Sequence, residues 1–134
     1  MDKLVFIIDD DQVYLNFMKA HFRQMKGYHV EAYPEGDEAL KELSKKDPFM
    51  IILDHNLNNL EKDGIYFLKK IKKLKPKVPS IYITGDNSPE VKKESLKHGA
   101  KAHIVKSESF LVQLRTAIDE ITAPKKGILS KLFK

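Results

Sequence analysis

The sequence predicts an α/β protein, a parallel sheet covered by helices on both faces. Three observations lead there. Short, largely apolar runs at residues 4–8 (LVFII), 49–53 (FMIIL), 80–83 (SIYI) and 102–105 (AHIV) are strand-length and bounded by turn signals. They stay apolar on both alternating faces, as parallel strands covered from two sides do. Between them lie segments with apolar residues at helical spacing, joined by short connections, which is the pattern of repeated strand–helix units.

Taken in order, the first strand runs into Asp9-Asp10-Asp11. Tyr14, Phe17, Met18, Phe22 and Met25 then recur as the inner face of a first helix, which Gly27 closes. Residues 28–33 (YHVEAY) alternate like a short strand. Pro34-Glu35-Gly36 opens a second helix with Ala39, Leu40 and Leu43 on its inner face, and Asp47-Pro48 precedes the next strand. A polar loop from His55 to Asp63 leads to Gly64 and a third helix built on Phe67, Leu68, Ile71 and Leu74. Residues 88–98 make a thinly packed fourth helix, with Val91 and Leu96 as its apolar positions. Phe110, Leu111, Leu114, Ala117, Ile118 and Ile121 make a fifth, strongly amphipathic helix that Pro124 stops.

At 134 residues the chain has room for one domain with a substantial core. Cysteine is absent, which excludes disulfides and thiolate metal sites and fits the cytoplasm. Three aspartates interrupt the first apolar run, so it is not the core of a signal peptide. No stretch reaches the roughly 18–20 apolar residues of a membrane span. A soluble, cytoplasmic protein is expected. The net charge of +5 is concentrated at one end. Residues 124–134 (PKKGILSKLFK) hold four lysines and no acid, and the remainder carries 20 basic against 19 acidic residues. A body this close to neutral is not expected to bind DNA directly.

Four strands end in residues suited to phosphoryl chemistry: Asp9, Asp10 and Asp11 after the first, Asp54 after the third, Thr84 after the fourth and Lys106 after the fifth. Ligands of open parallel sheets bind outside the carboxyl ends of the strands. Carboxylates, a hydroxyl and an ammonium gathered there can hold a divalent cation and a phosphoryl group together. Mg²⁺ favours a few carboxylates with water and phosphate, which Asp9, Asp10 and Asp54 can supply. Singly, each residue has a plainer use. Asp10 or Asp11 can cap the first helix, Thr84 can be a turn residue, and Lys106 a solvated lysine.

The separations are 44 residues from Asp10 to Asp54, 30 from Asp54 to Thr84 and 22 from Thr84 to Lys106. This constellation resembles the receiver domain of two-component response regulators, with spacing similar to the single-domain chemotaxis regulator. The resemblance covers residues 3 to about 122. It implies a flavodoxin-like, doubly wound (βα)5 fold whose parallel sheet has the order 2-1-3-4-5. The receiver would span 1–122, and 123–134 would be a basic amphipathic or disordered tail. Asp54 would be the phosphoacceptor. Asp10 and Asp54 would ligate Mg²⁺ directly, Asp9 mainly through water, and the backbone carbonyl of Asn56 would complete the protein ligands. Lys106 would pair with one phosphoryl oxygen and Thr84 would hydrogen-bond another.

A sensor histidine kinase or phosphotransfer protein would be the donor. A downstream protein would read the face formed by the fourth helix, fifth strand and fifth helix, near Lys92, Lys93, Lys97 and Lys101. Such a stand-alone regulator is a signalling protein rather than an enzyme.

Three positions depart from the family pattern. Ser107 follows Lys106 where the family usually has proline, often after a cis bond. A cis bond to a non-proline residue costs roughly 2.5–4 kcal/mol, so a trans turn is expected here, with Lys106 aimed differently and Ser107 as N-cap of the fifth helix. His103 stands where the family commonly has a switching Tyr or Phe, so Thr84 and His103 are the expected switch pair, with protonation as an added input. The plainer alternative is a partly exposed strand histidine. Finally, residues 54–64 (DHNLNNLEKDG) form a loop about two residues longer than usual and without its proline. His55, beside Asp54, should point to the opposite strand face and not ligate metal.

In the tail, Ile128, Leu129, Leu132 and Phe133 form an apolar stripe among lysines. Residues 125–134 could thus touch an anionic membrane surface or a partner's groove. Two rival readings remain. One is a degenerate receiver that binds partners without phosphorylation. The other resembles haloacid-dehalogenase phosphatases, with Asp9 as nucleophile and Asp11 as acid/base in a D-x-D-x-V motif, although it leaves Asp54 unexplained.

Overall fold

The computed structural model describes residues 2–57 and 61–123. Strands and helices alternate: β1 (Lys3–Ile8), α1 (Gln12–Gln24), β2 (Tyr28–Tyr33), α2 (Gly36–Leu43), β3 (Met50–Asp54), α3 (Gly64–Leu74), β4 (Ser80–Thr84), α4 (Pro89–Lys97), β5 (Ala102–Val105) and α5 (Phe110–Thr122). The five strands form one parallel sheet in the order β2-β1-β3-β4-β5, the flavodoxin-like arrangement expected. Among the described residues no helix is long and apolar enough to cross a membrane.

Two cores flank the sheet. Val5, Ile7, Ile52, Ile81, Ile83 and Ile104 meet Leu15, Met18 and Phe22 of α1 and Phe110, Leu114 and Ile118 of α5. On the other side Phe6, Ile8, Ile51, Leu53 and Tyr82 meet α2 and α3 through Ala39, Leu43, Phe67, Leu68 and Ile71. Successive strand residues point to opposite faces, so the continuous apolar runs of β1, β3 and β4 feed both cores at once. The thin packing expected of α4 is present: Leu96 is exposed, and only Ser95 of that helix is fully buried.

Two local expectations are corrected. Phe17, expected on the inner face of α1, is 53% exposed, and Leu15 is buried in its place. The buried stripe of α1 runs through Leu15, Met18 and Phe22, which puts Phe17 on its shoulder. Ser107 is not the N-cap of α5. Ser109 occupies that position without a side-chain cap bond, and the Ser107 carbonyl accepts from Phe110 N–H at 3.0 Å. One turn of chain separates β5 from α5, so the helix starts later than the first serine allows. The membrane or partner contact expected of residues 125–134 lies outside the described residues.

Candidate functional site

Strand alternation decides which side chains meet at the carboxyl edge of the sheet. The ladders continue one residue past the strands. Asp9 N–H donates to the Tyr33 carbonyl (3.1 Å), His55 N–H to Ile83 (2.8 Å) and Lys106 N–H to Thr84 (2.8 Å). The period of two therefore persists through these positions. Asp9, Asp54 and Lys106 fall in phase with Ile7, Ile52 and Ile104 on the α1/α5 face. His55, Thr84 and His103 fall in phase with Leu53 and Tyr82 on the α3/α4 face.

On the first face, Asp9 and Asp54 are buried, at 0% and 2% exposure. The Lys106 ammonium sits between them, 3.0 Å from Asp9 Oδ2 and 3.4 Å from Asp54 Oδ1. Lys106 thus reaches the site with Ser107 behind it, and the described residues contain no cis peptide bond. The different aim expected for this lysine is not found. Ladder register with Thr84, rather than a proline turn, directs it.

The acidic triplet divides its work. Asp9 Oδ1 accepts from Asp11 N–H at 2.9 Å, and Asp11 Oδ1 accepts from Val13 N–H at 3.0 Å. Asp11 is therefore the N-cap of α1, and it holds the turn that aims Asp9. Asp10 supplies a third carboxylate. One oxygen from each of Asp9, Asp10 and Asp54 lies within 4.8 Å of the others. Asp9 Oδ2 and Asp54 Oδ1 are buried without a well-aligned hydrogen-bond donor, meeting the ammonium only as ion pairs. Two such oxygens beside a third carboxylate fit a hard divalent cation. Asn56 follows β3 and is exposed.

Burial raises the pKa of Asp9 despite the Asp11 N–H and Lys106. Asp54 is pushed up to about 7 by burial and then by the neighbouring Asp9 charge, with Lys106 offsetting only part. For Lys106, burial favours the neutral amine, but the two carboxylates outweigh it and the net shift is upward.

Thr84 is fully buried, and its Oγ1 accepts from Asp86 N–H at 3.1 Å. Its hydroxyl hydrogen remains available as a donor. His55 does point away from the carboxylates: its Nδ1 lies 2.5 Å from Tyr82 Oη. The Tyr82 ring stacks on His103 (centroids 6.0 Å, 21° between planes), and His103 Nδ1 lies 3.0 Å from Ser95 Oγ on α4. Ser95 Oγ also donates to the Lys92 carbonyl, so it accepts from His103 Nδ1–H.

Residues 5–119 match the response regulator receiver domain family. The chain belongs to that family. An NtrX-like response regulator of Rickettsia conorii is 33% identical to this receiver over 124 residues, 91% of this chain and 26% of that protein. The transcriptional regulatory protein ZraR of Salmonella typhimurium is 32% identical over 106 residues, 79% of this chain and 23% of its own length. The receiver chain thus spans about a quarter of the curated relatives it matches. A solved CheY-like receiver domain from Methanospirillum hungatei JF-1 superposes with a TM-score of 0.81 at 28% identity, covering 95% of this chain and 99% of that one.

Three residues at the edge of this receiver's site were not singled out from the sequence. Tyr14 counted only as a core position of α1, Tyr82 as one more strand residue, and Ser95 not at all. For Tyr14 and Tyr82 the available signal was a polar aromatic within one turn, or two strand residues, of an already suspect position.

Proposed function

We propose that this receiver takes a phosphoryl group onto Asp54 in a Mg²⁺-dependent reaction and changes conformation to engage a protein partner. The observation that carries the reading is the Lys106 ammonium held between two buried carboxylates at the strand edge, with Asp10 completing an oxygen cluster. Asp9, Asp10, Asp54 and the Asn56 carbonyl would hold Mg²⁺, which when bound neutralises charge on the phosphoryl oxygens. The Asp54 carboxylate supplies the nucleophilic oxygen: its O–P bond forms as the donor's bond to phosphorus breaks. Lys106 pairs with a phosphoryl oxygen, and the free hydroxyl hydrogen of Thr84 donates to another.

The donor class is a sensor histidine kinase or a phosphotransfer protein. We place the switch on Thr84 and His103, because β4 carries Thr84 two residues from Tyr82 and His103 joins Tyr82 to α4. Lys92, Lys93, Lys97 and Lys101 are all exposed, which makes the α4–β5 side a basic surface for a downstream protein. Lys106 reaching both carboxylates with Ser107 behind it supports this reading over a phosphorylation-independent module. The phosphatase reading requires a free Asp11 carboxylate, and that group caps α1.

Intact mass after incubation with Mg²⁺ and acetyl phosphate tests the reading. One phosphoryl adduct is expected on the wild type, dependent on Mg²⁺ and absent from Asp54→Asn. An adduct that survives Asp54→Asn but vanishes in Asp9→Asn would overturn it in favour of the phosphatase. The absence of any adduct, from this donor and from a phosphorylated histidine kinase alike, would leave a binding module.

A further inference from the structure

We infer that Tyr14 is a positioning residue whose ring holds the Lys106 ammonium in place beside Asp9 and Asp54. The inference rests on the phosphoryl-accepting reading of that site. Lys106 Nζ lies 4.5 Å from the centroid of the Tyr14 ring, within the range in which a cation is attracted to an aromatic face. Two features make this contact more than incidental.

The first is how firmly the ring itself is placed. Asp11 caps α1 through Val13 N–H, and Tyr14 is the next residue of that first turn. Its ring meets Phe110 of α5 at 5.2 Å and 88°, and Phe17 at 6.0 Å and 87°. Contacts from α5 and from its own helix set its tilt. The residues that aim Asp9 thus also aim Tyr14: Asp9 Oδ1 accepts from Asp11 N–H, and Asp11 caps the turn.

The second is what else touches the ammonium. A lysine side chain is a flexible stem that orients only as well as its head group is held. The Lys106 head meets Asp9, Asp54 and the Tyr14 ring. Asp9 and Asp54 are the groups that would hold the cation and carry the phosphoryl group, so their hold on Lys106 changes with the state of the site. Tyr14 takes part in neither role. Its ring offers the same attraction whichever groups the carboxylates are engaged with. Among the described residues, the Tyr14 ring is thus a contact the lysine has from outside the reacting groups.

The test uses the full chain with Tyr14→Leu, which keeps bulk but removes the ring, and Tyr14→Phe, which keeps the ring. Lys106 side-chain resonances, assigned with Lys106→Arg, should show a ring-current shift in wild type and Tyr14→Phe that is lost in Tyr14→Leu. The rate of Asp54 phosphorylation by acetyl phosphate at saturating Mg²⁺ should fall about two- to thirty-fold in Tyr14→Leu, the span of a cation–π contact. It should stay within about two-fold in Tyr14→Phe, and Mg²⁺ affinity should change little in either, since the carboxylates are untouched.

An unchanged rate in Tyr14→Leu overturns the inference, as does a reduced rate with the Lys106 shift intact. Should Tyr14→Leu fail to fold, the wild-type spectrum decides: Lys106 resonances without a ring-current shift overturn the assignment. If wild type takes no phosphoryl group at all, the phosphoryl reading fails, and the ring-current arm alone supports or overturns the placement of Lys106 by Tyr14.

Discussion

Two clusters share one edge of the sheet and are built on opposite principles. On the α1/α5 face, Asp9, Asp54 and Lys106 are charged groups in a buried setting, joined by contacts of 3.0 and 3.4 Å. On the α3/α4 face, His55, Tyr82, His103 and Ser95 are linked by hydrogen bonds and a ring stack. There, burial favours the neutral imidazole of His103, with Lys92 and His55 acting in the same direction. The ionic face is destabilised by the burial of its own charges. The hydrogen-bonded face is satisfied as it stands and serves to connect β3, β4, β5 and α4. A single strand alternation separates the two clusters.

The comparison breaks most sharply at Lys106. In Lys106→Met two carboxylates are left buried without their cation, a loss of about 3–5 kcal/mol for a broken buried pair. Urea denaturation at pH 8 without metal should show it, and Mg²⁺ should restore part.

Asp54→Asn should act in the opposite direction. The folded pKa of Asp54, about 7, stands above its unfolded value of 3.8, so the native state holds the extra proton. Its stability contribution is full below pH 3.8 and is lost as pH rises through 7. Asp54→Asn should therefore exceed wild type by up to about 4 kcal/mol at pH 8 in the absence of metal, converging with it near pH 4. A pH-independent difference would show that Asp54 is not held protonated.

Gly64 joins the two faces. A Cβ there would collide with the Tyr82 hydroxyl and lie 2.5 Å from the Asp54 carbonyl oxygen. Gly64→Ala should cost about 1–3 kcal/mol by overpacking, read as a lower urea midpoint, and should disturb both clusters together.

The smallest effects belong to the hydrogen-bonded face. Tyr82→Phe removes the hydroxyl bonded to His55 and should cost about 1 kcal/mol, equal with and without Mg²⁺. His103 has its pKa lowered chiefly by burial, so its contribution is lost as pH falls below 6.5. His103→Phe should make the acid decline of stability shallower. It should not abolish it, because His21 is shifted the same way by burial. A metal-dependent Tyr82→Phe effect would show that the two faces are coupled even at rest.

Much of the candidate site was legible before folding because its residues sit where strand patterns stop. Asp9, Asp10, Asp54, Thr84 and Lys106 each end an apolar run, and runs of that kind point their ends to one edge. The exposure of Phe17 was not legible. Tyr14, Phe17, Met18, Phe22 and Met25 fit one helical stripe, and choosing between that stripe and one through Leu15 requires knowing where the sheet lies. Ser107 looked like a helix cap because its type suits one, whereas the distance from β5 to α5 put the helix start further on.

The sequence by itself determined the order of strands and helices along the chain and which residue types stand at the strand ends. These are local matters, settled by periodicities of two and 3.6 and by backbone hydrogen bonds within a few residues. Only the tertiary structure decided that Lys106 meets Asp9 and Asp54, that Tyr14 lies against its ammonium, and that Tyr82 links His55 to His103. Those meetings depend on β3 lying between β1 and β4 and on the ladder register that puts Thr84 beside Val105. Contacts between distant strands are fixed by how whole faces bury together, which no single segment carries in its own pattern.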